Sequence, residues 1–293
     1  MSLTTLVPLL LKFSIMLMVF AIGLKATFAD TVYLFRCPGK LLRALVSMFV
    51  VMPLFALLLD FTFQLNPPVK IALIALAVSP IPPFLPTKAM KNGGREDYTI
   101  GLLTATAVLS VVVIPLMMEL VERISGVPLQ MRARDVAALV LSSVLVPLLL
   151  GMGVRYLWRS LAERVAKPIA TVAIVMLIIP CIPILFTSMR AVLTLVGDGT
   201  LLALAAFAIV GIIVGHLLGG PDPENRAVLA LATSSRHPAV ALAIGHVNFP
   251  NQKLAGALVL VYLVLSTILT VPYLNWAKKG QSTTATSEKH VEA

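Results

Sequence analysis

The strongest constraint in this sequence is a succession of apolar runs, each about as long as a bilayer crossing, separated by short polar or basic segments. About 20 residues, rising about 1.5 Å each as a helix, cross a hydrocarbon layer about 30 Å thick. No water reaches that layer, so every backbone N–H and C=O must be satisfied within the chain, which leaves helices or a closed barrel. Barrel strands alternate apolar and polar residues, whereas runs such as 136–152 and 201–214 are continuous. The predicted fold class is therefore an all-α polytopic membrane protein. Composition decides one further point. Only 12% of the residues are charged, about half the share of a soluble domain, so lipid must be the solvent for most of the surface.

Apolar runs set against polar punctuation predict about nine transmembrane helices. They fall at residues 6–24, 42–59, 69–89, 100–118, 136–156, 169–188, 201–218, 227–247 and 254–276. The first run has no basic residue before it and carries Lys12 inside it, which predicts a retained helix rather than a signal peptide. Basic residues alternate between loops. One side holds Lys25, Arg36, Lys40 and Arg43, then Lys91 and Arg95, then Arg155, Arg159, Arg164 and Lys167, then Arg226, then Lys278 and Lys279. The other holds Arg123, Arg132, Arg134, Arg190 and Lys253, with Glu119 and Glu122 among them. The richer side is assigned to the cytoplasm. An inner-membrane protein with its N-terminus outside and its C-terminus inside follows. The net charge of +10 belongs to this loop pattern and predicts no nucleic-acid partner. A transmembrane domain is expected over 1–279, its halves dividing near residue 134, with a disordered cytoplasmic tail over 280–293 that is rich in Ser, Thr and Glu.

Two of the runs are interrupted. Residues 69–89 contain Ser79-Pro80-Ile81-Pro82-Pro83-Phe84-Leu85-Pro86. Each interior proline removes a backbone donor and clashes with the preceding turn, so a continuous helix is not expected there. Residues 227–247 contain Thr233-Ser234-Ser235-Arg236-His237-Pro238 near mid-span. A pair of broken hydrophobic segments in matching positions of two halves is the sequence mark of a secondary transporter's binding site. Half-helix ends offer amides to anions and carbonyls to cations.

Ionisable residues at membrane depth are functional candidates by default. Arg236 lies about ten residues from either end of its span, near the midplane by helical rise. It is a candidate for binding a substrate carboxylate or for standing in permanently for a coupling cation; the structural alternative is that it caps carbonyls of the broken helix. His237, with an ordinary pKa of about 6.5, is a candidate proton carrier or a structural hydrogen-bonding group. Ser234 and Ser235 complete a polar substrate cluster, and Lys88 either points into the same cavity or snorkels toward Lys91. Asp60, Glu119 and Asp198 all lie at predicted helix ends, as do His216 and His246, so no buried acidic relay is expected. Cys37 and Cys181 have neither disulfide-framework nor metal-ligand spacing. His-Glu-x-x-His and Gly-x-Ser-x-Gly patterns are absent, and no enzyme activity or cofactor is expected.

The sequence resembles the bile acid:sodium symporter family and its bacterial relatives over about residues 7–276. The resemblance is carried by Met18-Val19-Phe20-Ala21-Ile22-Gly23-Leu24, by Pro38 and by Phe49-Val50-Val51-Met52-Pro53. Ser79-Pro80 stands where the family has a Cys-Pro-Gly-Gly-type break. Gly94, Thr99 and Thr104 follow at matching spacing, and residues 231–249 take the place of the second crossing helix. The resemblance implies an inverted repeat, panel and core domains, and two broken helices crossing in the core. Ten helices are usual in bacterial members, and this chain is expected to lack the first. It also implies import of an organic anion coupled to sodium.

Departures from the family pattern bear on the coupling ion. Leu85-Pro86 replaces Ser-Asn after the first break; Thr233 and His237-Pro238 replace a Glu followed by Gln-Asn in the second. Thr99, Thr104, Thr233 and His237 are the residues left to serve an ion. Hard cations need several oxygen ligands with compensating charge, and a fixed Arg236 would repel sodium. The expected function is a secondary transporter of a small organic anion by alternating access, its coupling altered to protons or lost. The alternatives are sodium-coupled symport, or a non-transporting membrane sensor or partner subunit.

Overall fold

The computed structural model describes residues 3–125, 134–135, 138, 141–196, 199–249 and 251–291. Arg132 and Asp198 lie outside the described residues, as do the side chains of Cys181, Arg190, His246 and Lys253 and all side chains from residue 280 on. Among the described residues the chain is helical with no strand.

In order the helices are α1 (Leu3–Gly23), α2 (Phe28–Arg36), α3 (Pro38–Phe63), α4 (Pro67–Val78) and α5 (Leu85–Met90). They continue with α6 (Glu96–Ser125), α7 (Leu141–Leu157), α8 (Arg159–Val196) and α9 (Thr200–Leu218). The last three are α10 (Pro223–Ser234), α11 (Pro238–Asn248) and α12 (Lys253–Val291). Among the described residues, the apolar runs fall on one of these helices or on one broken pair. Among the described residues four helices are long and apolar enough to cross a membrane: α3, the body of α6, α9 and the body of α12. A fifth is reached if α1 and α2, bent by 92° to each other, make one span. The remaining runs fall on shorter apolar helices, on the two broken pairs and on α8. Large apolar side chains face outward along the long helices, among them Leu54, Leu58, Phe61, Leu202, Ile213 and Ile268, as a lipid-facing surface requires.

Three local details differ from the sequence expectation. The polar loop after the first run contains α2, which a capping box starts: the Thr27 N–H donates to Asp30 Oδ2 at 2.7 Å and the Asp30 N–H to Thr27 Oγ1 at 3.3 Å. The basic stretch from Arg159 to Lys167 is the first part of α8 rather than a loop. α12 runs on through the Ser- and Thr-rich segment to Val291, where a disordered tail is the sequence expectation.

Packing divides into two groups. α1 lies against α7 and α8, and the pair Gly23 and Gly151 sets the closest approach of α1 to α7: a Cβ on either would run into the other helix's backbone. Around Leu24, Ala162 and Ala166 these three helices have a small buried cluster of their own. The main core gathers residues of α3, α4, α6, α9, α10 and α12, together with both halves of the broken pairs, and reaches Val19 and Ile22 of α1 and Val144 and Leu148 of α7. Within it, α9 presents Gly211, Gly215 and Gly219, one every four residues, to Ser234, Ala230 and Arg226 of α10. A Cβ on Gly211 would stand 2.8 Å from the Ser234 Cα. Such small-residue stripes let helix backbones close on each other where lipid supplies no hydrophobic drive.

Candidate functional site

Both interruptions arise from the same local rule. A residue before proline is pushed out of the α region by the proline ring. Ser79 precedes Pro80 and is extended (φ −76°, ψ 147°), ending α4. His237 precedes Pro238 and is likewise extended (φ −72°, ψ 105°). Pro238 then opens α11, and Pro86 lies in the first turn of α5, where a missing N–H costs nothing. Pro82 and Pro83 keep the connection between α4 and α5 non-helical.

The two breaks meet. α4 packs on α11 and α5 on α10, so the first half of each broken helix touches the second half of the other. At the crossing the His237 N–H donates to the Pro80 carbonyl at 2.8 Å. Arg236, 1% exposed, reaches across from α10: Nη1 donates to the Ser79 carbonyl at 3.3 Å and Nη2 to the Met48 carbonyl at 3.1 Å. Ser79 caps the C-terminal end of α4, where orphan carbonyls carry partial negative charge. Met48 belongs to a π-helical turn, Val46–Val51, inside α3. Pro53, its partner position in a π register, has no N–H to offer that carbonyl. The guanidinium thus ties α3, α4 and α10 together through backbone oxygens. Among the described residues no carboxylate pairs with it.

The other polar groups are disposed around this contact. Ser47 and Thr233 hydroxyls lie 3.1 Å apart between α3 and α10. Thr233 also donates to the Leu229 carbonyl and Ser234 to the Ala230 carbonyl, each at 2.8 Å, and the Tyr262 hydroxyl of α12 donates to the Ser234 carbonyl. The Ser235 N–H closes the end of α10 on the Leu231 carbonyl. His237 Nδ1 accepts from the Val240 N–H at 3.5 Å, as the cap of α11. Arg236 Nε and His237 Nε2 are buried with no partner among the described residues.

Of the sequence candidates, the crossing therefore brings together Thr233, Ser234, Ser235, Arg236, His237 and Pro80. Lys88 is placed differently: half-buried on α5, it donates from Nζ to Thr270 Oγ1 of α12 at 2.6 Å. Thr99 and Thr104 spend their hydroxyl protons inside α6, on the Arg95 and Ile100 carbonyls. Sequence reading missed the Met48 carbonyl, Ser47 and Tyr262. Ser47 and Tyr262 carry no signal in the chain alone; Pro53 inside an apolar run is the one signal for Met48. Among the described residues no group of His, Cys, Asp or Glu is placed to hold a metal.

Away from the crossing, a cavity of about 300 Å³ opens between α1, α5 and α8, lined by Ala21, Ile22, Lys25, Thr87, Met90 and Lys91 together with Ala166 and Ala170. Elsewhere Lys40 pairs with Asp222 at 3.2 Å, and Arg226 Nε donates to the Gly220 carbonyl at 2.6 Å.

A comparison with curated proteins gives no match. The sodium bile acid symporter family matches residues 12–195, more than half of the chain, a stretch that holds the first break and ends before the second. With its apolar helices and this match, the chain is a multi-pass membrane transporter and belongs to the sodium bile acid symporter family.

Proposed function

We propose that this protein moves a small organic anion across the membrane by alternating access and does so without a sodium ion. The observation that carries the reading is the Arg236 guanidinium on the Ser79 and Met48 carbonyls. Carbonyls at half-helix C-terminal ends are where transporters of this kind coordinate a coupling cation. Here a covalently attached cation already sits on one such carbonyl, that of Ser79, and a second positive charge beside it would be repelled. Thr99 and Thr104 add no carboxylate to offset that repulsion. The unpartnered Arg236 Nε and His237 Nε2, with the neighbouring Ser235, are left to face the acidic group of a substrate at the crossing.

Sodium-coupled symport is the alternative, because the family is sodium-coupled in general. Uptake of radiolabelled organic acids into proteoliposomes, with external sodium replaced by choline, separates the two. Uptake is expected to persist in choline. Strict sodium dependence would falsify the sodium-independent reading. Failure of substrate counterflow with retained ligand binding would instead place the chain among membrane sensors built on this scaffold.

A further inference from the structure

Lys12 sits where a membrane helix can least accommodate a charge. α1 is 21 residues long, about 31 Å by helical rise, which matches a hydrocarbon layer of about 30 Å. Lys12 is its tenth residue and is exposed. Among the described residues no acceptor or carboxylate partners it. An ammonium left facing lipid at that depth is among the costliest groups a span can carry. The nearer end of α1 is about 14 Å away along the helix, farther than a four-carbon stem carries its charge.

The neighbours of Lys12 make a contact face. Leu9 and Phe13 are exposed beside it and Met16 is half-buried, so the four recur at i, i+3, i+4 and i+7 on one side of α1. That is the spacing with which one helix presents anchors to another. The far side is closed, with Ser14, Ile15, Met18 and Ile22 buried. Toward its other end α1 closes on α7 at Gly23, so the open face is confined to the stretch around Lys12.

A partner for this face needs an acidic group at mid-span, and a second copy of the chain offers none. Asp60 lies in the last turn of α3 and pairs with Lys70 at 2.6 Å. Glu119 lies in the last two turns of α6 and pairs with Arg123 at 2.6 Å. Among the described residues no carboxylate stands at the middle of a long helix.

We propose that the open face of α1 is the docking site for a transmembrane helix of a different protein, whose own mid-span aspartate or glutamate pairs with Lys12. In lipid, two apolar helix faces gain little over their contacts with acyl chains. The ion pair, strong in a medium of low dielectric constant, therefore selects the helix, and Leu9, Phe13 and Met16 pack around it.

The test measures energy transfer between the dye-labelled full chain and synthetic leucine–alanine helices of about 20 residues in liposomes of neutral phosphatidylcholine. Three such helices differ only at the central residue, which is glutamate, glutamine or lysine. The glutamate helix is expected to bind about tenfold or more tightly than the glutamine helix, and to lose that advantage in Lys12→Met. Lys12→Arg is expected to keep the preference, and Lys12→Glu to transfer it to the lysine helix. The thermal midpoint of Lys12→Met is expected to be unchanged or higher, which separates lost docking from lost structure. A photoreactive side chain introduced at Phe13 is expected to capture the glutamate helix, and one at Ile213, outward on α9, is not. Equal binding of the glutamate and glutamine helices overturns the proposal, as does a preference that survives Lys12→Met or equal capture from both positions. If anionic phosphatidylglycerol displaces the glutamate helix through Lys12, the ammonium reaches a headgroup and the proposal fails. Energy transfer between two labelled copies of the chain, abolished by Lys12→Met, would make the occupant a second copy and overturn it as well.

Discussion

Arg236 holds a full charge in a place with no carboxylate to meet it among the described residues, and what it has instead is two carbonyl oxygens from different helices. An unpaired buried charge is costly, while each buried carbonyl left without a donor costs about 1–3 kcal/mol. Arg236→Ala removes the charge and orphans both oxygens, so the thermal midpoint of the purified protein is expected to fall. Guanidinium ion at millimolar, non-denaturing concentration is expected to restore part of that loss in the variant and none in the wild type. Arg236→Lys should fall between, because one ammonium lacks the planar fork that spans two acceptors. A variant as stable as the parent, or one indifferent to guanidinium, would remove the capping role. This residue also marks the limit of what the chain alone could tell. Its position near mid-span was legible, and so was the choice between substrate partner and carbonyl cap. Its partners were not, because they are backbone oxygens of residues 157 and 188 positions away, and a carbonyl leaves no mark in a sequence.

The breaks, by contrast, were written in the chain as Ser79-Pro80 and His237-Pro238, since the rule that a residue before proline avoids the α region is local. α2 was equally local in cause and still went unread. Its Thr27-x-x-Asp30 capping box lies where a short polar loop between two spans was expected. The π turn at Val46–Val51 depends on packing as well as on Pro53, and only the structure reveals it. Nor did the chain alone say which helix holds α10 in register for the crossing. That is done by Gly211, Gly215 and Gly219 of α9, whose spacing matches Ser234, Ala230 and Arg226. A side chain on Gly215 must displace the Ala230 backbone and with it the end of α10 that carries Arg236. Gly215→Val is therefore expected to lose uptake and to lower the thermal midpoint, whereas Gly153→Val, on α7 with open space around it, should change neither. Equal behaviour of the two variants in the same assay would show that the stripe is not what positions the crossing.

At the scale of the whole molecule, the two packing groups and the crossing combine into one mechanical expectation. α1, α7 and α8 share a small cluster around Leu24, Ala162 and Ala166, while the main core joins the broken pairs, α9 and α12 and also takes in Val19 and Ile22 of α1 and Val144 and Leu148 of α7. On the proposed alternating-access reading, α1, α7 and α8 would move relative to the broken pairs around the crossing. The cavity lies on that boundary, with Ala21 on α1 facing the same space as Met90 on α5. If the groups move, a bridge between these residues must stop transport without harming the fold. In a chain with Cys37 and Cys181 replaced by Ser, the pair Ala21→Cys and Met90→Cys is expected to support uptake until a bifunctional maleimide joins them, and then to lose it. Either single cysteine should keep its uptake under the same reagent. A cleavable linker adds the decisive arm, because uptake must return on reduction if immobility was the cause. Uptake that survives a complete cross-link would mean that α1 and α5 travel together, and the boundary of the moving groups would have to be drawn elsewhere.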